Sequence, residues 1–225
     1  MARGGPRGER CAGCRLRPSH CLCALRPTQA THAGVCLLLA DTEPLKPSNT
    51  GWLVADVVAD TFAFSWERTD VDPNLLTLLA DPQWEPHIVF PGEYAPAERV
   101  VHSVGSPAPA AKGASLKRPL FVLLDGTWSE ARKMFRKSPY LDHFLVLSLQ
   151  PEKLSRYRLR RSTRSDHFCT AEVAAMCLEL GGDIQAAQTL EAYLDLFTHH
   201  YLQAKQQLPP HIDSPAWQRW RALKA

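Results

Sequence analysis

Pro119-Leu-Phe-Val-Leu-Leu-Asp125-Gly-Thr-Trp128-Ser-Glu-Ala-Arg-Lys-Met-Phe-Arg-Lys137 decides how this chain folds. Its first six residues form an apolar run of strand length that contains β-formers. Ser129–Lys137 reads as a helix that Ser129 can cap. Asp125-Gly126-Thr127-Trp128 is therefore a strand-to-helix turn. In an open parallel sheet such a turn lies at the carboxyl end of a strand, where these folds place their ligands. Gly126 permits a tight turn or a close backbone approach. Asp125 brings one carboxylate to the rim, and the helix N-terminus beyond it offers N–H groups to an anion. The same residues also fit a plain βα loop with Trp128 in the core, because loop chemistry of this kind is common.

On either side of this turn, strand and helix patterns alternate. Ala33–Ala40 is a continuous apolar run, as expected of a strand covered on both faces. Ser48 or Asn49 caps a helix whose apolar positions are Leu53, Val54, Val57 and Val58. Thr61–Ser65 is a second strand, and Asp72-Pro73-Asn74 opens a short leucine-rich helix. His87–Phe90 is a third strand, ended by Pro91-Gly92, and Phe144–Ser148 is another. Residues 102–118 read as a mobile surface loop. Thr170 caps a helix over Ala171–Leu180 that Gly181-Gly182 closes. A long helix from about Ile184 to Gln206 and a short one near Ala216–Leu223 end the chain. The alternation predicts an α/β fold, a mainly parallel sheet with helices on both faces.

A chain of 225 residues, 45% hydrophobic and 22% charged, can build one sizeable core and a small appendage. No run approaches the roughly 20 apolar residues of a membrane span. Met1–Arg7 lacks the apolar stretch of a secretory signal. A cytoplasmic protein that does not engage membranes is expected. The net charge of +3 hides an asymmetry. Residues 1–35 hold six arginines against Glu9, and residues 132–164 hold ten Lys/Arg against Asp142 and Glu152. These blocks of +5 and +8 leave −10 for the remainder. Two basic blocks on an acidic chain suggest a patch for a polyanion, the alternative being two solvated faces unrelated in space. Within Ser155–Arg164, Tyr157 and Leu159 alternate with Arg156, Arg158 and Arg160, which predicts an extended segment with one basic side.

Cys11-x2-Cys14-x6-Cys21-x-Cys23 packs four thiols into thirteen residues. Thiolates at these intervals can close tetrahedrally around zinc, in a segment too poor in apolar residues to build a core of its own. Disulfides need an oxidising compartment, and the spacing matches neither common ferredoxin pattern. Residues 1–30 are thus read as a basic segment with a zinc knuckle and 31–225 as the main α/β domain. Cys36, Cys169 and Cys177 are expected to be buried small hydrophobes, and His20 and His32 bystanders.

Asp125-Gly126-Thr127-Trp128 followed by Ala131-Arg132-Lys133-Met134 resembles the signature of the DTW-domain family, tRNA-uridine aminocarboxypropyltransferases related to the SPOUT methyltransferases. The cysteine spacing, Asp41-Thr42-Glu43-Pro44, Pro47-Ser48-Asn49-Thr50-Gly51, Phe90-Pro91-Gly92, Tyr157-x-Leu159-Arg160 and Cys169-Thr170-Ala171-Glu172 agree with it. The resemblance runs from about Cys11 to the helix after Glu172 and is nearest the bacterial branch, which modifies a uridine in the tRNA variable loop. One departure weakens roles carried over to the first loop: Asp41-Thr42 stand where wider members carry His-Pro.

The resemblance implies transfer of the 3-amino-3-carboxypropyl group of S-adenosylmethionine to uridine N3, with methylthioadenosine released, in a SPOUT-like fold threaded as a trefoil knot. Asp125 would be the general base or an anchor for the donor's amino group. Donor loops would be Phe90-Pro91-Gly92, Asp125–Trp128 with Gly126 and Thr127, and the segment of Tyr157, Leu159, Arg160 and Thr170, with Thr50 in reach. Leu123 and Leu124 would help form the adenine slot. Arg156, Arg158, Arg160, Arg161 and Arg164, with Lys133, Arg136 and Lys137, would contact tRNA phosphates, and Trp128 or Tyr157 would stack on the extruded base. Arg15, Arg17 and Arg26 would extend that surface from the knuckle. A monomer is expected. The competing readings are a SPOUT-type RNA methyltransferase and a zinc-knuckle RNA-binding protein without chemistry.

Overall fold

The computed structural model describes residues 10–105, 117–150, 155, 159 and 168–223. Among them, six strands pair into one sheet: β1 (Gly34–Leu39), β2 (Thr61–Ser65), β3 (Trp84–Val89), β4 (Val100–Val101), β5 (Arg118–Asp125) and β6 (Leu145–Leu147). Their order is β2-β1-β5-β3-β6-β4, and every pairing is parallel. The apolar run at 33–40 is β1, buried along its whole length. β3 begins at Trp84 rather than His87, because Trp84, Glu85 and Pro86 already pair with Arg118, Pro119 and Leu120 of β5. β4 went unforeseen, since two residues are too few to show a period.

Successive strand residues point to opposite faces, so the sheet feeds two cores. Val35, Leu37, Leu39, Phe121 and Leu123 join one; Cys36, Leu38, Leu120 and Val122 join the other. The first is covered by α1 (Gly51–Val57), α4 (Thr170–Leu180), α5 (Ile184–Gln206) and α6 (Pro215–Ala222). The second is covered by α2 (Pro73–Ala80) and α3 (Trp128–Arg136). Helices therefore lie on both faces. The cysteine-rich segment supplies Leu16 and Leu22, both essentially inaccessible, to the first core.

Three helix starts differ from expectation. Thr127, not Ser129, caps α3, in a box where its hydroxyl accepts from Glu130 N and Glu130 accepts from Thr127 N. Cys169 occupies the cap position of α4, and Glu172 accepts its backbone N–H at 2.9 Å, which leaves the Thr170 hydroxyl for other work. Thr50 is the cap position of α1 and makes no side-chain capping bond. The end of α4 is as expected: Gly182 takes φ 86°, and its N–H and that of Asp183 return to Glu179 O and Leu178 O.

The topology places a crevice between β1 and β5. The chain leaves β1 for α1 on one face and leaves β5 for α3 on the other. In parallel α/β sheets the gap opened by such a reversal, at the carboxyl edge, is the ligand position. No helix among the described residues is long and apolar enough to cross a membrane.

Candidate active site

Asp125, the last residue of β5, pairs with Leu39 of β1, and its carbonyl accepts from Ala40 N at 2.9 Å. It therefore sits in that crevice, and only 2% of it is exposed. Its two carboxylate oxygens hold different parts of the chain. Asn49 Nδ2 donates to Oδ2 at 2.7 Å, and the Thr170 hydroxyl donates to Oδ1 at 2.6 Å. A methyl group at Gly51 would stand 2.6 Å from Oδ2, so a bare glycine is what lets the start of α1 approach the carboxylate. Thr50, also buried, accepts from Ala171 N at 3.3 Å. The loop after β1, the end of β5 and the start of α4 thus meet on one carboxylate.

Behind Asn49 lies a second carboxylate. Glu43 is 1% exposed, pairs with Lys46, and accepts weakly from Asn49 Nδ2 at 3.4 Å. One amide therefore bridges two buried acids. Sequence reading gave Asn49 a capping role and Glu43 none. The signal available was two polar residues in a loop leaving a wholly buried strand, a loop that must fold back over the sheet edge.

On the other side of the turn is an aromatic wall. Phe90 stacks on Phe135 at 4.4 Å and on Trp128 at 5.4 Å, and Tyr94 meets Trp128 edge-on at 5.7 Å. Trp128 is 40% exposed, so it belongs to the surface and not to the core. Arg132 lies over the Tyr94 ring at 5.1 Å and Lys133 over the Trp66 ring at 5.3 Å, and Arg136 and Lys137 are exposed on the same helix end. Cations held on rings keep a charge at the surface with less freedom to lose. The box that starts α3 binds Glu130 firmly: bonds from Thr127 lower its pKa.

The remaining expected donor residues divide. Leu123 is buried in the first core, whereas Leu124 packs against the second, so the two line opposite faces of β5. Gly92 N donates to Ser148 Oγ at 3.0 Å, and a methyl there would meet Val100 at 2.8 Å, so its smallness serves the packing of β3 against its neighbours. Pro91 is exposed and Leu159 buried. Tyr157, Arg156, Arg158, Arg160, Arg161 and Arg164 lie outside the described residues, as does most of the 102–118 loop.

The four N-terminal cysteines converge. Sγ–Sγ distances are 3.5 Å for Cys11–Cys23, 3.7 Å for Cys14–Cys21 and 3.6 Å for Cys21–Cys11, and all four sulfurs lie within 4.8 Å of one another. A tetrahedral ion with bonds of about 2.3 Å sets its sulfurs roughly 3.8 Å apart. The cluster can hold one such metal ion, and its chemistry fits zinc. Backbone N–H groups of Cys14 and Gly13 lower the Cys11 thiol to about 6, whereas burial raises Cys14 and pushes Cys23 up to about 12, so the convergence of the sulfurs and not their acidity is what fits a metal. Both ring nitrogens of His20 are engaged, by Ser19 Oγ and Leu208 O, so it is a bystander as expected. Cys36 and Cys177 are fully buried, and burial pushes the Cys36 thiol up to about 12. The knuckle arginines do not all face outward: Arg26 pairs with Asp56 at 3.0 Å and Arg15 lies on the Trp52 ring, while Arg17 is exposed.

Residues 8–202 match the family model of the DTW domain. No solved structure matches the chain.

Proposed function

The chain belongs to the DTW-domain family, and from that premise we propose that it is a tRNA-uridine aminocarboxypropyltransferase acting in the cytoplasm as a monomer, with a SPOUT-like, trefoil-knotted catalytic domain over residues 31–225 and a zinc-binding segment over 1–30. The observation that carries the proposal is the seat of Asp125: a buried carboxylate in the crevice between β1 and β5, held by Asn49 and Thr170.

S-adenosylmethionine, the donor, supplies a sulfonium whose aminocarboxypropyl carbon is open to attack. Uridine N3 forms the new C–N bond, the C–S bond breaks with its electron pair going to sulfur, and methylthioadenosine leaves. The N3 proton must go to a base, because neutral N3 is a poor nucleophile, and Asp125 takes it. Asn49 and Thr170 fix the carboxylate's plane, so that orientation decides which carbon of the sulfonium reacts. Trp128 stacks on the extruded base, with Lys133, Arg136 and Lys137 and the arginines at 156, 158, 160, 161 and 164 on phosphates. Zinc on Cys11, Cys14, Cys21 and Cys23 would fix the knuckle against the first core.

Mass spectrometry of nucleosides from tRNA incubated with the purified protein and S-adenosylmethionine tests this. Aminocarboxypropyl-uridine with methylthioadenosine is the expected pair. A methylated nucleoside with S-adenosylhomocysteine, or no new nucleoside at all, overturns it.

A further inference from the structure

The cysteine knuckle grips α1 at two points of one helix face. Trp52 and Asp56 stand four residues apart and so lie on the same side of α1. Arg15, which follows Cys14, lies over the Trp52 ring at 4.4 Å. Arg26, just beyond Cys23, pairs with Asp56 at 3.0 Å. Gln29 N then donates to Val57 O at 2.7 Å, at the far end of the helix. Arg15 does not reach the ring through its own backbone preference. Its φ is 60°, a left-handed conformation uncommon for a residue with a side chain. That conformation belongs to a turn in which Arg15 N donates to Cys11 O and Cys11 N donates to Leu16 O, both at 2.8 Å. The turn that carries Cys11 and Cys14 therefore aims Arg15 at α1.

The first turn of α1 is the part that meets Asp125. Asn49 donates to Asp125 Oδ2 at 2.7 Å, its own Oδ1 accepts from Trp52 N at 3.4 Å, and Gly51 packs against the same carboxylate. Gly13, Cys14 and Arg15 share the walls of one small cavity with Pro47, Asn49 and Trp52, so the cysteine turn adjoins the Asn49 loop directly. Burial lowers the pKa of Arg15 against the pull of Asp56 and Asp125. Both arginines are thus committed to charges and rings of the protein itself. We propose that Arg15 and Arg26 are positioning residues that hold α1 so that Asn49 stays on Asp125, and that a metal ion on the four cysteines serves the candidate active site in this way and not by binding RNA. Only the consequence for catalysis rests on the proposed function.

The side-chain NH2 of Asn49 reports on this directly. In the ¹⁵N-labelled full chain its signals are identified by their loss in Asn49→Ala. In the Arg15→Gln/Arg26→Gln double variant they should move and exchange faster with water. The indole signals of Trp66 and Trp84, in the second core, should stay in place and show that the chain is folded; each single variant serves if the double variant is not. Removing the metal from wild type with a chelator should move the Asn49 signals in the same way, and Cys21→Ser replaces chelation if chelation unfolds the chain. With saturating tRNA and S-adenosylmethionine, kcat of the double variant should fall roughly 10- to 100-fold, while tRNA affinity by filter binding falls far less. Arg15→Lys/Arg26→Lys keeps a cation at each place and should restore most of the rate. Asn49 signals that stay in place in the folded variant or after metal loss overturn the proposal. A tRNA affinity that falls as far as the rate makes these arginines RNA contacts and overturns it too. Asn49 signals that move as expected in a protein whose wild type forms no aminocarboxypropyl-uridine leave the positioning role standing and remove the transfer reaction.

Discussion

Thr170 donates a 2.6 Å hydrogen bond to Asp125 Oδ1 across 45 positions of sequence. It fastens the first residue of α4 to the end of β5, the strand that pairs with both β1 and β3. Thr170→Val keeps the shape and removes the donor, which takes one short hydrogen bond from a buried carboxylate. A loss of about 1–3 kcal/mol is expected, and Thr170→Ser should restore most of it. Urea unfolding measures both, and a valine variant as stable as wild type would show that the bond contributes nothing.

His200 predicts a pH dependence of stability. Its Nδ1 faces His20 O at 3.1 Å, and its Nε2 accepts from Trp217 Nε1 at 3.1 Å, an arrangement that suits the neutral ring. Burial lowers its pKa below the ordinary 6.5. The unfolded chain therefore takes up the proton more readily. The contribution of His200 is fully present above 6.5 and is lost as pH falls towards the lowered value. The melting temperature of wild type should decline more steeply than that of His200→Gln as pH falls below 6.5. Parallel curves would assign the decline to other groups.

The cysteine cluster predicts one metal ion per chain. Leu16 and Leu22, between its ligands, fill the first core, so removing the metal should loosen the fold and lower the melting temperature. Metal analysis should find about one zinc per chain, less in Cys21→Ser. A full complement in the Cys11→Ser/Cys14→Ser double variant is the outcome that sinks the metal site.

Much of the fold could be read from the chain because its elements carry local signals. β1 is an unbroken apolar run, and Asp72-Pro73 opens α2, where the Asp72 side chain accepts from Asn74 N. Two of the three errors at helix starts have one cause, whereas at α3 the local box of Thr127 and Glu130 took the place expected for Ser129. Ser129, Thr170, Ser48 and Asn49 are all good caps by residue type, but tertiary contacts took two of them: Thr170 bonds Asp125, and Asn49 bonds both Asp125 and, weakly, Glu43. A hydroxyl or amide is worth more on a buried carboxylate than on a helix end that water can reach. Glu43 shows the same limit: its loop leaves a wholly buried strand, which hints at the sheet edge, but does not say that the glutamate will be 1% exposed. The convergence of the four cysteines was legible, since tight spacing in a segment without a core of its own points to a shared metal ion.

Basic side chains on α3 and in residues 155–164 predict a salt-dependent grip on RNA. Arg158→Glu with Arg161→Glu, and separately Lys133→Glu with Arg136→Glu, should weaken tRNA binding and leave donor binding unchanged. Each phosphate left without its cation should reduce the slope of log affinity against log salt by roughly one. Filter binding over a range of salt checks this, and an unchanged affinity in both double variants would make these side chains ordinary solvated charges.

Asp125→Asn separates chemistry from scaffolding. An amide has nearly the same shape, and the Thr170 hydroxyl can rotate to accept from the new NH2 while Asn49 goes on donating to the remaining oxygen. The junction of β1, β5 and α4 should therefore persist with a modest loss of stability, whereas Asp125→Ala would take the acceptor from Thr170 and leave Asn49 its weak bond to Glu43. An amide cannot take the N3 proton. If Asp125 is the base, transfer should fall about 10²–10⁴-fold, in kcat and not in affinity. If it anchors the donor's amino group, calorimetry on the same variant should show weaker S-adenosylmethionine binding as well. Two measurements on one protein decide: donor affinity, and aminocarboxypropyl-uridine formed per unit time. A rate within a few-fold of wild type would leave Asp125 as the knot of hydrogen bonds it visibly is, 2% exposed and holding Asn49 and Thr170, with proton removal falling to another group.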